Sequence, residues 1–541
     1  MVDRPRLPRT LSEWVCIFGP GAIIASLTIG TGELIFSTRG GALFGYRILF
    51  LFAIISLLKW GLVIGMSRHM ILTGVHPYKR MIDLPGPRGW LPIMLLMMAT
   101  VCLPIWISFH SGVLGNLTAW VTGTRGMFHG GMDYLWAAAI LIAVLLLSAT
   151  GGYNLFERVQ MFVVAALVFC AALTIILYNP NWLELLLGLV PQRLSYPEWV
   201  PEKYPDIAKY SVWVETTRYV GVIGGAGFDY LAYVSWLRAK QWGVLPARAT
   251  PDLLAEIAAD PQHEVRKWIR APFVDCAISF ALIVAFSAVF VACGAMILGP
   301  QEVVPDEDSL LNLQARFVTR IHSLLLPLYV IGAFLTMLGT LYGTIEIAFN
   351  IADEIIRSFV DNWTHAYGRK LKRAVLAWCA TIALLILGWL FIRQTTPQHA
   401  ALQPSVRVEG AVAEGPSGNV SSGDDSSGDA AEEPALLPKP RLLLAILTPV
   451  NLFTGVLSCG LICVLTIWMD RRDLPPGLQP PIWLVALNVF SAAVFLALGI
   501  KGYWDNEHRI VVVCTMVGIF VAAMAVAVAI GSKRNPRQAN G

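Results

Sequence analysis

Long apolar runs dominate the chain, and short polar segments separate them. A run of about 20 apolar residues is long enough to cross about 30 Å of hydrocarbon as an α-helix. The pattern therefore predicts an all-α polytopic membrane protein with about twelve transmembrane helices. The predicted spans are residues 16–38, 44–66, 91–120, 134–150, 155–178, 213–238, 270–298, 321–349, 374–394, 442–469, 481–502 and 508–531.

The composition and the charge pattern agree with this interpretation. Of the 541 residues, 56 % are hydrophobic and 14 % are charged, whereas about 25 % of residues are charged in an ordinary soluble domain. Lysine and arginine concentrate in the loops that follow the even-numbered spans, such as Arg238, Lys240 and Arg248 after span 6. The positive-inside rule then predicts that both termini are cytoplasmic. We expect a multi-pass protein of the cell (inner) membrane, with the lipid bilayer as its surroundings.

The chain is predicted to contain two groups of five spans, followed by two additional helices. Within the second group, residues 402–440 are rich in Ser, Gly, Pro and acidic residues, so they are predicted to form a disordered outer loop. The predicted parts are a cytoplasmic N-terminus (1–15), a first five-helix repeat (16–178), an outer loop (179–212), a second five-helix repeat (213–469), two C-terminal helices (470–531) and a cytoplasmic tail (532–541).

Spans 1 and 6 are interrupted by glycines at corresponding places in the two repeats, and an acidic residue follows each interruption. Gly32 precedes Glu33, and Gly227 precedes Asp229 by two residues. Interrupted segments at matching positions of two repeats indicate a transporter site, where unwound carbonyls and half-helix ends coordinate an ion. An acid in a membrane span costs several kcal/mol and therefore needs a partner. The two acids are predicted to share a cation.

The same residues also have a purely structural interpretation. Glycine is common in membrane helices because it permits close packing. Glu33 or Asp229 would then pair with Lys59 in span 2 or with Arg218 at the start of span 6.

Several motifs near the N-terminus resemble the Nramp family of divalent-metal transporters. Gly19-Pro20-Gly21 and the stretch Gly41–Tyr46 are similar to the family's first span, and Arg68 followed by Thr73-Gly74 resembles the end of its second span. The resemblance implies a LeuT-like fold, a 5+5 inverted repeat in which helices 1 and 6 are broken.

The chain departs from the family at the metal-binding motifs. The family's Asp-Pro-Gly-Asn falls on Gly30-Thr31-Gly32-Glu33, and its Met-Pro-His-Asn falls on Ala226-Gly227-Phe228-Asp229. The thioether ligand, which favours soft metals, is absent, whereas carboxylates, carbonyls and water suit Mg²⁺, Ca²⁺ or Mn²⁺. The resemblance therefore implies a hard divalent cation as the transported substrate.

The departures from the family motif leave an oxygen-based set of candidate site residues. The residues themselves indicate that Glu33 and Asp229 bind the metal through their carboxylates, and that backbone carbonyls near Gly30 and Ile223 add further oxygen ligands. Further candidates for the transport pathway are Thr31, Ala226, Thr344, Glu346, Asn451 and His110.

The histidines of the predicted spans bear on proton coupling. The family's second histidine in span 6 falls on Tyr233, and His110 is the histidine that lies well inside a predicted span. His110 either titrates near neutral pH or is a hydrogen-bonded residue of the helix bundle.

The candidates in spans 8 and 10 each have two interpretations. Thr340, Thr344, Glu346 and Asn350 in span 8 recur at helical spacing, so they line the inner half of the pathway or form a polar helix end at the cytoplasmic boundary. Asn451 in span 10 reaches the ion through water or makes an interhelical hydrogen bond.

Other kinds of chemistry have no matching motif in the chain. It contains no G-x-x-x-x-G-K-[ST] phosphate loop, no H-E-x-x-H and no G-x-S-x-G, so neither an ATP-driven pump nor a hydrolase is predicted. No basic stretch with interleaved aromatics suggests nucleic acid. The nine cysteines form no C-x-x-C pair and are read as core residues. No cofactor and no enzymatic activity are expected.

The sequence therefore predicts a secondary transporter of hard divalent cations, such as Mg²⁺ or Mn²⁺, that works by alternating access. One alternative is a cation-coupled symporter of a small organic solute with the same fold. Another is a non-transporting membrane sensor in which the acids are structural.

Overall fold

A computed structural model gives the fold of the chain. It describes residues 5–209, 211–304, 325–360, 364–396, 450–506 and 509–534. Within these ranges the chain folds into helices and connecting segments, without β-strands. The predicted disordered loop at 402–440 and residues 535–541 of the predicted cytoplasmic tail (532–541) lie outside the described residues, whereas residues 532–534 of that tail belong to the last helix.

Fourteen helices build the predicted membrane region, and several predicted spans correspond to more than one of them. They are α1 (Pro20–Thr28), α2 (Thr31–Phe44), α3 (Leu49–Thr73), α4 (Trp90–Val121), α5 (Met132–Thr150), α6 (Tyr153–Tyr178), α7 (Val212–Val222), α8 (Gly227–Lys240), α9 (Arg270–Cys293), α10 (Leu325–Phe359), α11 (His365–Thr395), α12 (Ser458–Asp473), α13 (Ile482–Trp504) and α14 (Arg509–Arg534).

Shorter helices lie between and before these. The short α-helices are Leu11–Val15, Pro77–Met81, Trp182–Leu187, Trp199–Lys203, Pro205–Ala208, Pro251–Ala259 and Glu264–Lys267. Single turns of 3-10 helix cover Gly45–Ile48, Met127–Gly130, Gly299–Gln301 and Pro476–Leu478. Short π-helical segments extend α9 at Gly294–Leu298 and precede α12 at Phe453–Leu457.

Eleven helical stretches of the described chain are long and apolar enough to cross a membrane. The sequence predicts about twelve, and the difference arises at the first span. That span divides into α1, with nine residues, and α2, with 14 residues. Helix α1 is too short to count, and α2 continues through Gly45–Ile48 into α3, so Glu33–Thr73 counts as one stretch.

Helix α1 lies at the centre of the bundle. Every one of its nine residues is buried, and it packs against α6, α8, α9 and α10. A helix that is apolar all round is stable only when neighbouring elements cover it on all sides. The prediction of an all-α membrane fold with broken first and sixth spans is confirmed, and both breaks lie beside this central helix.

Candidate functional site

The first span is broken at Ile29 and Gly30. Helix α1 ends at Thr28, Gly30 has extended backbone angles (φ −120°, ψ −160°), and α2 begins at Thr31. Glu33 therefore lies in the first turn of α2. The unpaired N–H groups of a helix start favour a carboxylate at this position.

The sixth span is broken over Ile223–Ala226. Gly224 and Gly225 have φ angles of +81° and +94°, a region that residues with a Cβ rarely adopt. The main chain resumes a helix at Gly227, which places Asp229 in the first turn of α8. The main-chain N–H of Ala226 donates a hydrogen bond to the Asp229 carboxylate at 2.6 Å. The two acids thus occupy matching positions, each in the first turn after a break.

Glu33 connects the two broken spans. Its carboxylate is fully buried, with 0 % of the residue exposed, and its Oε1 accepts a hydrogen bond from the Gly224 N–H at 2.8 Å. The other oxygen accepts from the hydroxyl of Ser287 on α9 at 2.9 Å and from that of Ser37 at 3.4 Å. Both carboxylate oxygens are therefore held in place by neighbouring donors.

Lys59 on α3 contacts the same unwound segment from another direction. Its Nζ donates hydrogen bonds to the carbonyls of Ile223 and Gly225, each at 2.6 Å. The Ile223 carbonyl, which the sequence analysis predicts as a metal ligand, therefore accepts a hydrogen bond from an ammonium group. Lys59 is close enough to Glu33 and Asp229 to interact electrostatically, although no ion pair within 4 Å joins them in the described chain. The side chain of Arg218, the other partner considered, lies outside the described residues.

The predicted residues at the first break make local contacts. The Gly30 carbonyl accepts a hydrogen bond from the Leu34 N–H at 3.1 Å, within the start of α2. A Cβ at Gly30 would lie 2.7 Å from the Thr340 hydroxyl of α10, so α10 packs directly against this break. Thr31 is the first residue of α2, and the structure describes its main chain but not its side chain.

The other pathway candidates are held by specific partners. Thr344 is buried and donates to the Thr340 carbonyl one turn earlier in α10. Glu346 forms an ion pair with Lys372 of α11 at 2.9 Å and accepts from Ser148 of α5 at 2.6 Å. These contacts join three helices around the Glu346 carboxylate. Its place in the pathway remains a prediction.

The candidates in spans 3 and 10 lie next to each other. Asn451 accepts a hydrogen bond from the indole N–H of Trp106 at 3.2 Å, which is the interhelical bond considered from the sequence. His110 is buried and stacks on the same Trp106, with ring centroids 5.5 Å apart. Whether either residue faces a transported ion remains a prediction.

Asp275 on α9 is a buried acid that the sequence analysis does not single out, and it lies at the start of α1. Its two carboxylate oxygens accept hydrogen bonds from the N–H groups of Gly19 and Gly21 at 2.9 and 2.7 Å, and the hydroxyl of Tyr233 donates to it at 2.9 Å. It therefore caps the start of the central helix α1. The available signal was an aspartate within an otherwise apolar stretch of span 7.

Ion pairs join neighbouring helices on both sides of the breaks. On the predicted outer side, Arg39 of α2 contacts Glu215 of α7 at 2.5 Å, and both are buried. On the predicted inner side, Lys240 of α8 contacts Glu157 of α6 at 2.8 Å. A cavity of about 620 Å³ lies on this inner side and is lined by residues that include Arg238.

His76 lines the same inner cavity, beyond the end of α3. Its Nδ1 accepts from the Tyr78 N–H at 3.2 Å, and its Nε2 lies 3.1 Å from the Leu231 carbonyl. These contacts fit the neutral imidazole with the proton on Nε2. Burial lowers the pKa of His76 to about 3, and the positive charge of Arg238 acts in the same direction.

The described residues contain no cluster of three or more His, Cys, Asp and Glu side chains that is suited to a metal. A cation bound between the breaks would therefore rely on two carboxylates, together with carbonyl, hydroxyl or water oxygens. Such an all-oxygen set suits hard ions.

Comparisons with known proteins identify the fold. No family model and no curated protein sequence matches the chain. A solved structure of the Eremococcus coleocola manganese transporter, in complex with an aromatic bis-isothiourea substituted compound, aligns with a TM-score of 0.63 and 15 % identity over 97 % of this chain and 96 % of that one. A mutant of the same transporter aligns with a TM-score of 0.62 and 14 % identity, covering 98 % and 96 %. The likeness confirms a LeuT-like fold, whereas membership of the Nramp family remains a prediction.

Proposed function

We propose that this chain is a secondary transporter of a hard divalent cation, such as Mg²⁺ or Mn²⁺. The observation that carries the proposal is the matched placement of Glu33 and Asp229. Each lies in the first turn of the helix after a break, and both accept hydrogen bonds from the single unwound segment Ile223–Ala226.

The physical chemistry of this arrangement favours a cation. Two carboxylates and the single Lys59 ammonium leave one net negative charge within a bundle of apolar helices, where the low dielectric of the surroundings screens it weakly. Oxygen ligands without a thioether favour hard ions over soft ones. The similarity of the fold to that of a manganese transporter supports a divalent metal ion as the substrate.

The ion pairs above and below the breaks support transport by alternating access. Separating Arg39 from Glu215 would open a path between α2 and α7, and separating Lys240 from Glu157 would open one between α8 and α6. A site enclosed on both sides by separable contacts is what alternating access requires. We place the protein in the cell (inner) membrane, with both termini cytoplasmic.

Lys59 favours a second candidate function, a cation-coupled symporter of a small organic solute. Its ammonium lies 2.6 Å from the Ile223 carbonyl, so it makes the break less negative and less suited to a divalent ion. In that case the two acids would bind an amine or a coupling ion.

Uptake into proteoliposomes tests the proposal directly. We expect accumulation of Mg²⁺ or Mn²⁺, with Ca²⁺, Co²⁺ and Cd²⁺ as competitors, and a loss of at least about tenfold in Glu33→Gln or Asp229→Asn, equivalent to about 1.4 kcal/mol of binding. Glu256→Gln removes an exposed carboxylate far along the chain and serves as the matched control. Absence of flux for all five ions would refute metal transport, as would full flux in the Glu33→Gln, Asp229→Asn double variant.

Thermal unfolding separates the two candidates. A metal transporter is stabilised by added Mg²⁺ or Mn²⁺ alone, because a ligand that binds only the folded state raises its stability. A symporter of an organic solute responds to its solute, and metal alone leaves its unfolding temperature unchanged.

A further inference from the structure

A lysine ammonium occupies the place where the broken sixth span presents its carbonyl oxygens. Lys59 is fully buried, with 0 % of the residue exposed, and its Nζ donates to the Ile223 and Gly225 carbonyls at 2.6 Å each. The intervening carbonyl, that of Gly224, accepts from the hydroxyl of Tyr230. Side chains therefore satisfy three of the four carbonyls of the unwound segment, and the fourth, that of Ala226, accepts main-chain N–H groups of α8.

Carbonyls of an unwound helix are the groups that transporters of this kind present to an inorganic cation. Lys59 meets them in the same way as such an ion, since carbonyl oxygens contact its Nζ directly. Within the described chain no carboxylate oxygen lies within 4 Å of this nitrogen, and Glu33 and Asp229 act on it from farther away. The ammonium is thus bound by carbonyl dipoles, with its charge balanced at longer range.

The stem of Lys59 also packs against the unwound segment. A Cβ at Gly224 would lie 3.2 Å from the Lys59 Cδ, so the aliphatic chain covers this glycine. The N–H of the same Gly224 donates to Glu33. The conformation of the break, and with it the position of Glu33, therefore depends on a group that supplies both volume and positive charge.

We infer that Lys59 is a tethered cation, which permanently fills a cation position in the broken sixth span and replaces an inorganic coupling ion there. It is a positioning residue, because it shapes the segment to which Glu33 and Asp229 bond. The inference goes beyond the proposed function, since it concerns a second cation position and holds whichever cargo is carried.

Chemical rescue of Lys59→Ala tests this inference, with the full chain in detergent and thermal unfolding as the readout. The removed side-chain atoms beyond Cβ correspond to propylammonium. We expect the unfolding temperature of Lys59→Ala to fall by several degrees and to recover with propylammonium chloride, saturating as a bound ligand does. Recovery with 1-propanol at the same concentration would mean that only volume matters, and it would overturn the inference.

Lys59→Met provides the matched control, because it keeps most of the stem volume and leaves no space for an added amine. We expect it to be destabilised and to show no recovery with propylammonium. The Glu33→Gln, Asp229→Asn double variant, which keeps Lys59 but lacks the two acids, should unfold at the same temperature in NaCl, KCl and N-methyl-D-glucamine chloride of equal ionic strength. Selective stabilisation of this double variant by Na⁺ or K⁺ would overturn the inference, because the cation position at the carbonyls would then be open.

Lys59→Gln covers the case in which Lys59→Ala does not fold. Glutamine keeps an N–H donor without the charge, so we expect its unfolding temperature to rise in NaCl or KCl relative to N-methyl-D-glucamine chloride. If Lys59→Gln were as stable as the wild-type protein and its unfolding temperature did not depend on these cations, the charge of Lys59 would have no role. Because these readouts need no cargo, failure of metal uptake and failure of this inference are separate results.

Discussion

The carboxylate of Glu33 accepts a hydrogen bond from the main-chain N–H of Gly224, with 2.8 Å between the two atoms. This bond links the start of α2 to the unwound segment after α7, so the two broken spans meet through a single side chain. The position of the Glu33 carboxylate therefore depends on the conformation of both breaks.

Shortening this side chain tests whether position matters in addition to charge. Glu33→Asp keeps the carboxylate but removes one methylene, so it cannot reach both the Gly224 N–H and the Ser287 hydroxyl. Loss of one hydrogen bond to a charged group costs about 1.5–3 kcal/mol, and we expect metal uptake to fall by about tenfold or more. Initial uptake rates measure this, with Glu256→Asp as the exposed control. Wild-type uptake by Glu33→Asp would show that charge alone is sufficient.

The glycines of the sixth-span break give a second prediction. Gly225 has a φ of +94°, and a Cβ there would lie 2.5 Å from the Thr28 Cγ2 and 2.9 Å from the Asp229 carboxylate. We expect Gly225→Ala to destabilise the protein by about 1–3 kcal/mol and to impair uptake. Gly221→Ala is the matched control, because it lies in α7 with its nearest contact at 3.4 Å. Equal effects of the two substitutions in thermal unfolding and uptake would contradict the prediction.

The outer ion pair gives a third prediction. Arg39 and Glu215 are both buried and 2.5 Å apart, so Arg39→Met removes a cationic partner of the Glu215 carboxylate, which keeps its hydrogen bond from the Tyr219 hydroxyl, and should cost about 3 kcal/mol. Adding Glu215→Gln removes that charge and should restore part of the loss. Unfolding of the two single variants and the double variant measures the coupling. Simple addition of the two single losses would show that the pair contributes no coupling.

His76 gives a prediction for pH dependence. Because its pKa is lowered to about 3 by burial, the unfolded chain binds a proton near pH 6.5 and the folded chain does not. Above about pH 6.5 His76 is neutral in both states and does not reduce the free energy of unfolding. Below that pH its neutral form in the folded state lowers the free energy of unfolding by about 1.4 kcal/mol per pH unit as the pH falls toward 3. We therefore expect His76→Gln to lose less stability than the wild-type protein between about pH 7.5 and pH 5.

The pH profile of unfolding temperature is the measurement for this prediction, and His129→Gln, at an exposed position, is its control. The control should follow the wild-type profile. Parallel profiles for His76→Gln and the wild-type protein would rule out His76 as a source of the pH dependence.

A substitution at Glu346 tests whether this residue stabilises the fold or takes part in ion transport. Because it pairs with Lys372 and accepts from Ser148, we expect Glu346→Gln to lower the unfolding temperature while the order of preference among divalent ions stays the same. The ion order is read from competition in the uptake assay. An altered order would place Glu346 in the pathway, as the sequence suggests.

The sequence by itself determined the membrane class, which two spans are broken and that an acid follows each break within a few residues. These features are local, because hydrophobic run length, glycine content and nearby charge can be read along the chain. Gly32-Glu33 and Gly227-Phe228-Asp229 are short motifs, and the structure shows both acids in the first turn of a helix. Even the count of spans differed only where α1 is too short to cross alone.

Only the tertiary structure decided which groups meet at the breaks. Lys59 contacts carbonyls that lie 164 and 166 positions further along the chain, and Asp275 caps a helix that begins more than 250 positions before it. Such partners depend on how helices pack and rotate against each other, and no local pattern encodes that. Lys59 therefore looked like one of several possible ion-pair partners in the sequence, and packing placed its ammonium on the Ile223 carbonyl.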